Sequence, residues 1–205
     1  MRCLLLSSCL FILWGCSSAY KHLQAASGDP GNLQKFKPMF TVATYRAIVD
    51  VMGNHLSGLL MIKRMPDSSL RMVFSNEIGF KFFDFEFSPG GGFKIFSIIK
   101  QMDKKAVIKT LRKDFELIMM EQINSLNVLV RKDEGLVYYT FRQPNGYFHY
   151  LTNESGNQLV RLERSSRRKI IAGAIMKNYK EGIPDTIGIT HRNFNFTIGL
   201  KRIVK

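Results

Sequence analysis

The residues able to do covalent or acid–base chemistry in this chain are few and badly spaced for it. Cys3, Cys9 and Cys16 are the only thiols, and all three precede residue 17. They form no CxxC pair and no zinc-type spacing with histidine. His22, His55, His149 and His191 are scattered, and His149 sits between Phe148 and Tyr150 as a strand residue would. Asp84 and Glu86 stand two apart, on one face of a strand, where paired carboxylates could share general acid–base work. Lysine and arginine are so abundant that ion pairing is the better reading of both. There is no GxSxG elbow and no HExxH, and the glycines at 90–92 lack the following Lys-Ser/Thr of a phosphate loop. The expectation is a non-enzymatic protein, with no catalytic residues, no metal and no cofactor.

The thiol that stands out is Cys16. Arg2 gives a short positive start, Leu4 to Trp14 form an apolar run too short for a permanent membrane span, and the run closes on Leu13-Trp14-Gly15-Cys16. This resembles the lipobox of bacterial lipoproteins, in which the cysteine is lipidated and becomes the new N-terminus. Trp14 is bulkier than the residue usual there. An ordinary secretory signal or an N-terminal anchor helix are the other readings of the same residues. If cleavage falls before Cys16, no disulfide framework can exist, and the one remaining thiol carries the lipid. Ser17-Ser18-Ala19-Tyr20 has neither the adjacent aspartate of inner-membrane retention nor an acidic surface-export run. By elimination, the resemblance implies the periplasmic leaflet of the outer membrane.

These boundaries divide the chain into a leader (1–15), a lipidated N-terminus with a flexible tether (16–37) and one domain (38–205). The tether is read from small and polar residues and the Asp29-Pro30-Gly31 breaker. About 20 residues long, it could reach several tens of ångströms if extended. The domain has no second linker, repeat or low-complexity run.

The domain is predicted to be mostly β. Phe83, Phe85 and Phe87 alternate with Asp84, Glu86 and Ser88, while Phe80 and Phe82 sit on the opposite parity, so a bulge is expected near Phe82-Phe83. Phe194, Phe196, Ile198 and Leu200 repeat the alternation. Turn signals at Gly53-Asn54, Pro66-Asp67, Pro89 to Gly92, Pro144 to Gly146, Ser155 to Asn157 and Gly182 to Asp185 divide about eleven antiparallel strands. Leu59 to Ile62 is apolar on both parities, which predicts cover on both faces. Only Asp103 to Asn124 breaks the period. There Val107, Ile108, Leu111, Phe115, Ile118, Met119 and Ile123 recur at helical spacing, with Asp103 as N-cap. The apolar stripe needs a partner, and the concave face of a curled sheet is the obvious one.

A lipobox, a long curled antiparallel sheet and one inserted helix together resemble the LolA/LolB-like lipoprotein family. The sharpest local match is Leu70 to Phe80, a strand–loop–strand in which Ile78 matches the family's protruding apolar tip and Gly79 the turn glycine behind it. Glu77 stands where a proline is common. The resemblance implies an incomplete β-barrel of about eleven strands with the helix on its concave face and an apolar cavity for acyl chains. Candidate lining residues are Phe83, Phe85, Phe87, Phe115 and Met119, and Ile78 with Gly79 forms a candidate membrane-contact loop. The implied partners are a lipid or acylated lipoprotein cargo, the outer membrane through the N-terminal lipid, and a LolA-like periplasmic carrier.

The formal charge is +14, to which the leader contributes only Arg2. A charge of this size draws anionic surfaces. Arg164, Arg167, Arg168 and Lys169 cluster around Ser165-Ser166. Nucleic acid would fit the arithmetic, but a periplasmic address removes it. The alternative function is an envelope interaction or structural lipoprotein with a filled core and a basic docking face.

Overall fold

The computed structural model describes residues 19–124 and 127–204. The leader and Cys16 lie outside the described residues. Among the described residues the strands are β1 (Gln24–Ala25), β2 (Val42–Val51), β3 (Asn54–Arg64), β4 (Leu70–Ser75), β5 (Lys81–Ser88), β6 (Gly92–Ile98), β7 (Val128–Asp133), β8 (Leu136–Gln143), β9 (Gly146–Asn153), β10 (Leu159–Ser165), β11 (Ile170–Lys180), β12 (Ile183–His191) and β13 (Phe196–Ile203), and the helix is α1 (Lys105–Met119). All thirteen strands join one antiparallel, curled, unclosed sheet in the order β1-β7-β8-β9-β10-β11-β12-β13-β2-β3-β4-β5-β6. The incomplete barrel expected from the sequence is therefore present, with two strands more than the eleven anticipated.

The order explains the helix. β6 is one edge of the sheet, and β7 lies at the other, covered only by the two residues of β1. The chain between them must cross the open side, and α1 makes that crossing with its apolar stripe turned inward. Val107, Leu111, Phe115, Ile118 and Met119 are all buried in the main core. The helix is shorter than the periodicity suggested. Met120 adopts left-handed φ (55°) and a 3₁₀ turn follows at Glu121–Asn124. Its N-cap is Lys104, whose side chain makes no capping hydrogen bond, so Asp103 does not cap the helix as expected.

Strand periodicity sets the rest of the core. On β5, Phe83, Phe85 and Phe87 face the concave side and are buried. The bulge expected near Phe82-Phe83 is there: Phe74 pairs with Phe83 while the next residue, Ser75, pairs with Lys81, leaving Phe82 as the extra residue. Three hairpins turn on Met52-Gly53, Glu134-Gly135 and Glu181-Gly182, each with both residues at positive φ, the arrangement that suits the right-handed twist of paired strands. Leu59 to Ile62 departs from expectation. Leu60 and Ile62 are buried, but Met61 is 44% exposed, because this part of the sheet is covered on its concave side alone.

The second departure is larger. Residues 19–37 were expected to form a free tether, yet they pack on the sheet. On the outer face, Tyr20 buries itself with Tyr138 and Leu151 beside Ala19, Leu23, Leu136 and Ile170. β1 then pairs with β7, and a 3₁₀ segment at Pro30–Phe36, opened by Asp29 accepting from the Gly31 N–H at 2.8 Å, delivers Leu33 and Phe36 to the main core. Lys37 reaches Glu121 at 2.6 Å, and the Tyr179 hydroxyl donates to the Phe36 carbonyl at 2.8 Å. Isolated apolar residues in a polar stretch carry no periodicity, which is why composition alone read this segment as tether.

Candidate functional site

Of the five candidate lining residues, the four phenylalanines are in mutual contact and Met119 belongs to the same core cluster. Phe83 and Phe85 stack at 4.4 Å, and Phe115 descends from α1 to meet Phe83 at 5.9 Å and Phe87 at 6.1 Å. They fill the space they share: Phe115 is 1% exposed and Phe85 fully buried. Open volume lies at the end of this cluster. A cleft of about 620 Å³ runs between α1 and the rim of the sheet, with Leu70, Phe87 and Met119 as apolar wall and Arg64 and Arg112 among its polar residues. Its floor includes the loop at 88–92, where Arg112 donates to the Gly91 carbonyl at 2.9 Å and also holds Glu116 at 2.7 Å. A cleft of this size, with an apolar wall facing a polar one that holds Arg64, Arg112 and Lys113 beside Glu116 and Glu121, suits an amphiphile.

One polar contact sits inside the apolar seat of α1. Asp114 is fully buried on the helix stripe, between Leu111 and Ile118. His191 Nε2 of β12 lies 2.8 Å from its Oδ2, and the Arg164 guanidinium of β10 lies 3.4 Å from its Oδ1. Burial lowers the pKa of Arg164, opposed by the Asp114 charge. Arg164 Nε, His191 Nδ1 and Asp114 Oδ1 make no hydrogen bond. Buried ion groups with incomplete hydrogen bonding return little of their desolvation cost, so this seat holds α1 less firmly than a wholly apolar one would. The carboxylate on the buried stripe was visible in the sequence; its partners, 50 and 77 residues away, required the sheet register.

Ile78 is the tip of the β4–β5 turn and is 90% exposed. Gly79 at φ +88° makes the reversal, its N–H donating to the Asn76 carbonyl at 3.1 Å, and the Asn76 side chain accepts from the Phe80 N–H at 2.8 Å. Asp84 and Glu86 are the ion-paired residues the composition suggested: Arg71 bonds Asp84 directly and reaches Glu86 at 3.4 Å. Burial opposes ionisation of Asp84, but its Arg71 partner outweighs that and lowers its pKa.

Sequence reasoning missed a buried network on the outer face. His149 lies between Thr140 (2.9 Å) and Ser165 (2.8 Å), with the Tyr20 ring stacked on it at 4.1 Å. Tyr20 donates to Glu163 at 2.6 Å, and Arg161 holds the other Glu163 oxygen at 2.7 Å. Burial, aided by the Arg131 charge, depresses the His149 pKa to about 4. A Ser–His contact at this distance is the geometry of an activated nucleophile, but here a hydroxyl replaces the orienting carboxylate and Tyr20 closes the approach. The network fastens the N-terminal segment to the sheet.

Among the described residues, no cluster of His, Cys, Asp or Glu is arranged to hold a metal ion, and no helix is long and apolar enough to cross a membrane. No protein-family model matches the chain, and no curated protein matches its sequence. Solved structures resemble it in fold. One, a Vibrio parahaemolyticus domain described as an outer membrane lipoprotein-sorting protein, is 11% identical with a TM-score of 0.50 over 85% of this chain and 89% of that one. Another, a DUF1329 family protein from Desulfovibrio piger, is 8% identical with a TM-score of 0.46 over 86% and 92%. At such identity the likeness is one of fold, and that fold is LolA/LolB-like.

Proposed function

We propose that this protein is an envelope lipoprotein that binds a lipid, or the acyl chains of another lipoprotein, between its sheet and α1, without catalysing a reaction. Cys16 carries the lipid, and the site is the periplasmic leaflet of the outer membrane, where cargo arrives from a LolA-like carrier. The observation that carries the reading is the cleft at the end of the phenylalanine cluster. Leu70, Phe87 and Met119 offer an acyl chain an apolar wall, and the polar side, with Arg64 and the Arg112–Glu116 pair, stands where a headgroup would lie. Displacing α1 from its imperfect polar seat would extend the cleft along Phe83, Phe85 and Phe115. Each square ångström of apolar surface covered by the chain contributes about 25 cal/mol in gross terms. Ile78, exposed on its turn, is then the side chain placed to enter the bilayer during transfer.

A second reading is favoured by one observation, the close packing of Phe83, Phe85 and Phe115. On that reading the core is simply filled, and the protein docks a partner through its surface.

Native mass spectrometry of the chain from Ser17 onward, purified gently from the periplasm, separates the two. Bound phospholipid or acylated peptide near unit stoichiometry is the expected result. Phe115→Asp and the milder Met119→Gln should both lose that occupancy, Met119→Gln with the fold intact. An apo mass unchanged by incubation with lipid overturns the carrier reading in favour of the docking protein.

A further inference from the structure

Because neighbouring strands are antiparallel, the turns after β8, β10 and β12 fall side by side at one end of these strands. At one end three neighbouring turns, 144–145, 166–169 and 192–195, carry Arg167, Arg168, Lys169 and Arg192, all exposed, and not one carboxylate. At the other ends of the same strands each of three turns carries one: Glu134, Glu154 and Glu181. The positive end is also an organised surface. The Ser166 hydroxyl accepts from the N–H groups of Arg168 and Lys169 at 3.2 and 3.1 Å, and Ser166 N–H donates to the Lys169 carbonyl at 3.0 Å, so the turn is held shut with its three cationic side chains outward. Gly146 lies so close to the Ser165 carbonyl that a Cβ there would meet it at 2.0 Å, which sets the 144–146 turn against the 166–169 turn. Between them is a groove of about 770 Å³ lined by Asn145, Ser166, Arg167, Arg168 and Lys169.

Two further observations give this end a direction. The Ala19 N–H donates to the Arg168 carbonyl at 2.9 Å, so the N-terminal segment enters the fold on the cationic turn itself. Cys16 is three residues upstream, within about 11 Å of extended chain. The next turns along the sheet expose Phe194, Met52 and Ile78, the last beside the exposed carboxylate of Glu77. Met52 occupies a positive-φ position where asparagine or glycine would be at ease.

We propose that the 144–145, 166–169 and 192–195 turns form a docking surface for an anionic bilayer: Arg167, Arg168, Lys169 and Arg192 meet lipid phosphates, and the neighbouring tips Phe194 and Met52 meet the interface. The proposal deepens the lipoprotein reading by orienting the molecule on its membrane, and its cationic turns act whether or not the cleft holds cargo. Each Lys or Arg near an anionic surface strengthens binding about fivefold at low salt, and the attraction fades within a Debye length. A lone cationic hairpin tip would be an ordinary solvated loop. Three such turns side by side without a carboxylate, together with entry of the N-terminal segment on one of them, argue for a surface with a task.

The chain from Ser17 onward contains every described element of the fold, so it can be tested without its lipid. It is sedimented with vesicles of phosphatidylcholine alone and of phosphatidylcholine mixed with phosphatidylglycerol, across a range of salt. Binding to the anionic vesicles only, weakening as salt rises, is expected. The triple substitution Arg167→Gln, Arg168→Gln and Lys169→Gln should weaken it on the order of a hundredfold, while Lys180→Gln, at the far end of β11, should leave it unchanged. Equal partition into both vesicles, or a triple variant that binds like its parent, overturns the proposal. Lipid occupancy by native mass spectrometry separates the two ideas. A triple variant that keeps its cargo but loses the vesicles supports docking as a distinct property. An empty protein that still binds anionic vesicles retires the cargo reading and leaves docking in place.

Discussion

At the scale of single residues, the buried histidines carry the consequences that composition could not reveal. His149 is neutral when folded, its pKa held at about 4 by burial and then by Arg131, against the ordinary value of 6.5 in an unfolded chain. Between those values the unfolded chain binds a proton that the folded one refuses, so stability rises with pH there. The contribution is fully present above pH 6.5 and is lost as pH falls towards 4, by about 3 kcal/mol. Urea midpoints measured across that window should fall accordingly, and His149→Gln should flatten the slope whatever it does to stability at neutral pH; an unchanged slope would show that His149 titrates normally. None of this was legible beforehand, because Thr140 and Ser165 lie on separate neighbouring strands and only the register brings them to the imidazole. Ile78 was different: an apolar residue before a turn glycine could be either tip or plug, and the Asn76 hydrogen bonds that close its turn make it the tip.

At the scale of elements, α1 was legible where its apolar spacing was strict and illegible at both ends. Val107, Leu111, Phe115 and Ile118 gave the buried face, but cap geometry depends on backbone angles that no spacing encodes, and the N-cap position fell to Lys104 rather than Asp103. A lysine there leaves the first N–H groups without a side-chain acceptor and puts a positive charge at the positive end of the helix dipole. Lys104 is exposed, so Lys104→Asp should stabilise the protein by about 1 kcal/mol, read as a higher denaturation midpoint. No gain would mean that α1 already frays at its start, which itself bears on how the cleft opens. The strand pattern of β5 was equally plain from Phe83, Phe85 and Phe87, down to the bulge at Phe82. Residues 19–37 were not, since Tyr20, Leu33 and Phe36 find their partners on the sheet and not in their own segment.

At the scale of the whole molecule, the sheet consists of two meanders, β2–β6 and β7–β12, that meet only through β13 within the sheet. Ending the chain before Phe196 should therefore abolish cooperative unfolding rather than trim an edge, since Ile198 and Leu200 are core residues paired with Val49 and Ala47. Circular dichroism and a denaturation curve on the truncated chain would decide; a cooperative transition would mean that one meander stands alone. The position of β13 also imposes a timetable. The strand that joins the two meanders is the last of the thirteen in chain order, and it must find β2 about 150 residues back along the chain, a long-range pairing of the kind that makes β proteins slow to fold. A chain threaded through a membrane from its N-terminus would thus expose Cys16 and the β2–β6 meander well before the fold could close. Any modification at that cysteine would act on an unfinished protein, and during that interval the exposed strands would need shielding from one another.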